Sequence, residues 1–194
     1  MQARGRRVTI QHGVLSDSEL KRAIQHGWIG ADAPILDDQI QPASLDLRLG
    51  ETAYRLRASF LPGAGARVRD RLDDELVMHS IDLTGGAVLE TGCVYLVQVL
   101  EEFALPPHIH GAANPKSSTG RIDVFTRLIV DGAQSFDHIP MGYHGPLWAE
   151  ISHCTFSVLV RTGTRLAALL CARAAQLAGA GLVVVGCLDS ALFS

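Results

Sequence analysis

A chain of 194 residues with 47% hydrophobic and 19% charged side chains and a net charge of −3 has room for one good core, at most two small domains. It lacks the basic excess with which duplex-binding proteins neutralise phosphates, so no polynucleotide partner is expected. Cys93, Cys154, Cys171 and Cys187 form no C-x-x-C pair and no disulfide or zinc-knuckle spacing, which fits a reducing cytoplasm.

Residues 1 to 13 read as a disordered leader. Arg4, Arg6 and Arg7 precede Val-Thr-Ile-Gln-His-Gly, which is too short and polar for the apolar core of a secretory signal, so no export is expected. Ser16 with Glu19 makes a capping box that opens a short helix through His26, with Leu15, Leu20 and Ile24 on its buried face. From Gln39 onward the pattern changes to short apolar or alternating runs: Ser44 to Leu49, Ala87 to Leu89, Cys93 to Val99 and Leu147 to Ile151. Gly50, Gly85-Gly86, Gly92, Pro106-Pro107 and Gly142 to Gly145 break these runs, which favours an antiparallel barrel or jelly roll over a βαβ fold. Arg67 to Glu75 reads as a solvated charged loop or helix, and His108, His110 and His138 as surface histidines. From Leu166 to Ser194 the chain is almost wholly Ala, Leu, Gly, Val and Cys. Its clean apolar stretch, Ala174 to Leu188, is shorter than a membrane helix needs and contains Gln176, so no membrane partner is expected.

Three blocks carry chemistry. Asn114-Pro115-Lys116-Ser117-Ser118-Thr119-Gly120-Arg121 packs two cations, three hydroxyls and a glycine together. That composition suits a triphosphate: small hydroxyls and amides near a helix start allow close approach, Gly120 permits a tight backbone, and Lys116 and Arg121 offset the charge. An exposed Ser-rich turn capping a helix explains the same residues, and no Walker loop is present. In the second block, Gly142 to Ile151, a Gly-bounded turn enters an apolar strand holding a single carboxylate, Glu150. Glu150 is either a buried candidate general base or an edge-strand residue facing solvent. The third, Gln39 to Gly50, alternates Ser44, Asp46 and Arg48 against Leu45, Leu47 and Leu49, the pattern of a half-buried strand whose polar face is able to brace the phosphate loop.

Together, Gln41 to Gly50, Lys116 to Arg121 and Gly142 to Glu150 resemble the signature segments of the dCTP deaminases, relatives of the trimeric dUTPases. The resemblance covers about residues 13 to 165, and the run from Ala112 to Glu150 is similar to the first half of the double-length, two-domain form. It implies a mainly β fold, a distorted barrel or jelly roll of the dUTPase-like type with a short N-terminal helix. It also implies a homotrimer or trimer-like array with active sites between neighbouring barrels. The implied reaction is deamination of dCTP to dUTP and ammonia, which feeds the dTTP supply.

Carried across residue by residue, the resemblance places phosphate and water binding on Lys116, Ser117, Ser118, Thr119, Gly120 and Arg121, and the catalytic set on Glu150, Ser117 and Arg121. Trp148 and Ala149 would line the base, Asp137 would lie near the sugar, and a backbone carbonyl near Ala133 would help hold the water. Lys116 stands where many relatives have Arg, which keeps the charge and loses the bidentate fork. Mg²⁺ would ride on the substrate triphosphate, and no zinc is expected because the H-x-E with P-C-x-x-C signature is missing. Two alternatives stay open. One is a dUTPase or bifunctional deaminase-diphosphatase acting on dUTP, with dTTP as a further ligand. The other is an inactive, truncated barrel, because after Arg165 the apolar run resembles a shifted reading frame or divergent end rather than the polar segment that closes over the triphosphate.

Overall fold

The computed structural model describes residues 13–173. Its strands are β1 (Gly13–Val14), β2 (Ile29–Ala31), β3 (Leu45–Leu56), β4 (Val77–Asp82), β5 (Ala87–Leu89), β6 (Val94–Ala104), β7 (Ile109–Pro115), β8 (Val124–Val130), β9 (His138–Ile139), β10 (His144–His153), β11 (Val158–Val160) and β12 (Arg165–Arg173). The helices are α1 (Asp17–Gln25) and the single-turn α2 (Ser117–Gly120), with 3₁₀ turns at Asp37–Gln39 and Arg69–Arg71.

The main sheet runs β8-β10-β6-β3-β12-β7-β9, with β1 on β12, β2 on β6 and β4 on β3; β5 and β11 pair separately. Its two ends meet through Asp137. The Asp137 N–H donates to Leu128 O and its carbonyl accepts from Ala113 N, both at 2.9 Å. Its carboxylate Oδ1 also accepts from Leu128 N at 2.7 Å. β8 is thus tied to β7, and the sheet curls into a nearly closed barrel. The mainly β, dUTPase-like barrel with a short N-terminal helix is the fold that the sequence reading expects.

In α1 the Glu19 carboxylate accepts from Ser16 N at 2.9 Å and from Ser16 Oγ at 3.0 Å, so the acidic half of the capping box forms and the serine hydroxyl turns to the carboxylate. Leu15, Leu20 and Ala23 are fully buried, with Ile24 half-buried beside them. Arg173 Nη1 reaches Glu19 Oε1 at 2.6 Å, tying the helix to the end of β12. The Ser16 amide, and after it Arg173, pull the Glu19 carboxyl down to about 2.

Three expectations change. Residues 45 to 50 are buried on both faces, rather than half-buried, because the polar face of β3 meets partners instead of water. The segment from Arg67 to Glu75 is not simply solvated: Val68 is fully buried, Val68 N donates to Asp131 Oδ1 at 2.8 Å, and Arg69 reaches Gln98 Oε1 at 3.2 Å. Leu166 to Arg173, assigned from sequence to an atypical tail, form most of β12, an inner strand between β3 and β7 with Leu169 and Cys171 fully buried. Burial pushes the Cys171 thiol up to about 12. His110 is half-buried and its imidazole pKa is lowered, by burial first and then by the exposed His138. The expected leader through residue 12, the apolar stretch from Ala174 to Leu188 and Cys187 lie outside the described residues. No helix of the described residues is long and apolar enough to cross a membrane.

A buried ionic network ties β3 to β6. Glu101, fully buried, accepts from Gln39 Nε2 (2.9 Å), Arg48 N (2.8 Å) and Arg48 Nε (2.8 Å). The rest of the Arg48 guanidinium donates to the carbonyls of Pro34 (2.9 Å) and Ala33 (3.1 Å), pinning the loop ahead of β3. A buried charge whose partner is removed is costly, because it has lost water and has no counter-charge. Glu101→Gln is therefore expected to destabilise the protein by about 3–5 kcal/mol; urea unfolding reads this directly, and an unchanged midpoint would show that the pair is not desolvated as described.

Candidate active site

Glu150 sits in β10, flanked on one side by β8 and on the other by β6, directly opposite Arg127 and Leu96. It is 2% exposed, which excludes the solvent-facing edge position. Arg127 Nε (3.1 Å) and Nη2 (2.5 Å) both donate to Glu150 Oε1. Glu150 Oε2 is buried and has no partner among the described residues. Arg127 in turn lies 3.9 Å over the Phe136 ring, and its Nη2 also reaches Ser59 Oγ at 3.1 Å. Asp137 belongs to the same cluster. Burial raises its carboxyl above the usual range, its bond from the Leu128 amide and the Arg127 charge oppose this, and the Glu150 charge reinforces it. Its backbone is left-handed (φ 62°), a conformation that few residues other than Gly adopt.

Two residues before Glu150 on the same strand face stands Trp148, fully buried, its Nε1 also without a partner among the described residues. Trp148 forms one wall of a cavity of about 790 Å³, shared with Gly30, Gly50, Tyr54, Gln98 and Phe103. The Glu150 carboxylate does not line that cavity; buried charge, not open volume, marks the candidate chemistry. The Ala149 methyl points to the opposite strand face from Trp148 and Glu150, into the core. The Gly142–Gly145 turn that feeds this strand depends on its second glycine: at φ 146°, a Cβ on Gly145 would stand 2.9 Å from the Tyr143 hydroxyl. That hydroxyl donates to Pro146 O at 2.6 Å, and burial pushes the Tyr143 phenol up to about 12.

The phosphate-type block is built where β7 ends and α2 makes one turn. Lys116 N donates to Leu166 O at 3.0 Å, which ties the block to β12. Its ammonium forms an ion pair with the buried Asp46 carboxylate, so the polar face of β3 does brace this loop. Thr119 Oγ1 is turned inward, donating to Lys116 O at 2.7 Å, with Leu166 O at 3.3 Å. Ser117, Ser118, Gly120 and Arg121 are exposed. Ala133 is buried after the far end of β8, its carbonyl accepting from Gly63 N at 3.1 Å. The single chain thus brings Glu150, Trp148 and Asp137 to one region. Ser117 and Ser118 flank one end of β8 and Ala133 the other, roughly 20 Å apart along a strand of that length.

Sequence reasoning missed Arg127, Phe136 and Ser59. For Arg127 a signal existed: an arginine inside Val124-Phe-Thr-Arg-Leu-Ile-Val is as anomalous as a glutamate inside Leu-Trp-Ala-Glu-Ile. Among the described residues no three His, Cys, Asp or Glu side chains converge as a metal cage.

Residues 11–175 match the family model of the 2'-deoxycytidine 5'-triphosphate deaminase N-terminal domain. The chain belongs to the dCTP deaminase family. Among the family, a dUMP-forming dCTP deaminase of Methanothermobacter thermautotrophicus is 33% identical over 144 residues, covering 72% of this chain and 68% of that protein. A dCTP deaminase of Haloarcula marismortui is 28% identical over 160 residues, 80% of this chain and 78% of that one. The crystal structure of 2'-deoxycytidine 5'-triphosphate deaminase from Agrobacterium tumefaciens superposes with a TM-score of 0.80 at 52% identity, covering 84% of this chain and 48% of that chain. The present chain therefore spans about half the length of that Agrobacterium protein.

In this family member the block from Lys116 to Arg121 is held by the Asp46–Lys116 pair, whose carboxylate side is 3% and whose ammonium side is 28% exposed. Asp46→Asn is expected to cost about 1–3 kcal/mol of stability, toward the lower end because the ammonium keeps access to water. Comparing urea midpoints of this variant and of Lys116→Met checks it; equal stability of all three proteins would mean that the pair does not hold the loop.

Proposed function

We propose that this chain hydrolyses dCTP to dUTP and ammonia, with Glu150 moving the protons. The observation that carries this reading is the Glu150 carboxylate, enclosed within the sheet with one oxygen held by Arg127 and the other without a partner among the described residues. An isolated acceptor in a dry setting is costly unless a ligand donor uses it, and the 4-amino cytosine edge and an attacking water both bring donors. Family membership supplies the substrate class.

In this mechanism Glu150 takes a proton from the water that attacks C4 and passes it to N3. A tetrahedral centre results, carrying the new hydroxyl and the amino group. The carboxylate then takes the hydroxyl proton and gives it to the amino group, so that ammonia leaves and the C4 carbonyl forms. Ser117 or Ser118 and the carbonyl of Ala133 would position the water, with Arg121 beside them. Lys116, Ser117, Ser118, the backbone around Thr119 and Gly120, and Arg121 would take the triphosphate with its Mg²⁺. Trp148 and the backbone at Ala149 would contact the base, and Asp137 the sugar. No zinc takes part in this scheme. The separation of Ser117 and Ala133 along β8 supports a site assembled between neighbouring barrels, as in a homotrimer or trimer-like array, working in the cytoplasm.

A second reading, deamination followed by diphosphate release to give dUMP, is favoured by the 33% identity to a dUMP-forming relative. Separate incubations with dCTP and dUTP distinguish the two. Ammonia and dUTP from dCTP, with dUTP left intact, support the simple deaminase; dUMP and pyrophosphate support the bifunctional one. If neither substrate turns over, the proposed activity fails.

Glu150→Gln is expected to lower the deamination rate by about 10²–10⁴-fold while dCTP still binds by calorimetry; an undiminished rate would end the role given to Glu150. Chelating divalent metal is expected to raise KM for dCTP, with Mg²⁺ restoring it. Restoration by zinc and not by Mg²⁺ would contradict the scheme.

A further inference from the structure

Arg127 is the only cation shown bonding to Glu150 among the described residues, and the geometry points to a positioning role: we infer that Arg127 fixes the Glu150 carboxylate by gripping Oε1 alone, so that Oε2 is the atom that exchanges protons with water and substrate. This rests on the proposed role of Glu150. Two donors of one guanidinium, Nε at 3.1 Å and Nη2 at 2.5 Å, converge on the same oxygen instead of spreading in the usual fork across both. The carboxylate is thereby split into a held oxygen and a free one, and the free one is buried with no partner among the described residues.

The grip is itself fixed from outside. The guanidinium lies 3.9 Å over the Phe136 ring, and Nη2 also donates to Ser59 Oγ at 3.1 Å. The Arg127 side chain remains 43% exposed while that of Glu150 is 1% exposed, so the guanidinium lies between the carboxylate and solvent. Strand register adds to this: Arg127 and Glu150 are cross-strand partners on β8 and β10, so backbone pairing sets the spacing of the two side chains. The other charged group acting here is Asp137, whose carboxyl is occupied by the Leu128 amide. Arg127 touches no reacting atom in this scheme. Its effect is the aim of the carboxylate, and a loss of aim of about 1 Å is enough to cost about 10²-fold in rate.

The test is steady-state deamination of dCTP by the full chain and its Arg127→Ala, Arg127→Lys and Glu150→Gln variants. Arg127→Ala is expected to lower kcat by about 10²-fold with KM for dCTP changed less than about threefold. Arg127→Lys is expected to fall between it and the unaltered chain, since an ammonium keeps the charge and loses the planar fork. Added guanidinium is expected to restore part of the kcat of Arg127→Ala where sodium at equal ionic strength does not; this comparison and the Lys variant carry the test if the alanine variant folds poorly. A raised KM at constant kcat would make Arg127 a substrate contact and overturn the positioning role. Unchanged kinetics of Arg127→Ala, alongside an inactive Glu150→Gln, would overturn the inference and leave the proposed function standing. An undiminished rate in Glu150→Gln would remove the role of Glu150 and this inference with it, and no turnover by the unaltered chain would remove the proposed function itself.

Discussion

The buried carboxylate of Glu101 organises the polar face of β3, and the rest of the barrel is arranged around that constraint. Once Glu101 is out of water it needs donors from more than one direction, and it takes them from Gln39, the Arg48 backbone and the Arg48 guanidinium. Arg48, drawn inward to meet it, fastens the preceding loop through the Ala33 and Pro34 carbonyls. Two residues earlier on the same strand face, Asp46 holds Lys116 and with it the Ser-rich turn. One strand face thus supports the interior of the barrel and also sets where the phosphate-type block stands.

The chain contains a second buried pair of the same chemistry, Glu150 with Arg127, and the contrast is instructive. Both oxygens of Glu101 have partners, as a structural pair requires if its desolvation is to be offset. Glu150 has one oxygen doubly held and the other bare among the described residues, and its cation is partly exposed. A fold gains nothing from leaving an acceptor in that condition, whereas a reaction site does. The difference between the pairs separates the fully satisfied carboxylate, Glu101, from the one to which the proposed function assigns the chemistry, Glu150.

Much of this was legible in the sequence. The alternation and the Gly and Pro punctuation gave the barrel, Ser16 with Glu19 gave α1, and a glutamate between Ala149 and Ile151 stood out because apolar strands rarely carry one. The polar face of β3 was read as half-buried because alternation reports which residues share a face, not what covers it; Glu101 and Lys116, 53 and 70 positions away from their partners, supply that cover. Arg127 stood out locally as a charge in an apolar strand, but its partner depends on the β8–β10 register, which no local pattern encodes. Leu166 to Arg173 were taken for a departure from the fold because the run is almost wholly Ala, Leu and Cys. An inner strand bonded on both sides asks for no more than small and apolar side chains.

The seam at Asp137 couples the closure of the barrel to the charges beside it. Most neighbouring strands are joined by continuous ladders, but β8 meets the other end of the sheet through one left-handed residue, whose side chain supplies one of the bonds. That residue also sits in the field of Arg127 and Glu150. That stitch of the barrel therefore lies beside the Arg127–Glu150 pair. A proton gained or lost there changes the electrostatics of the site and the tightness of the stitch in one event.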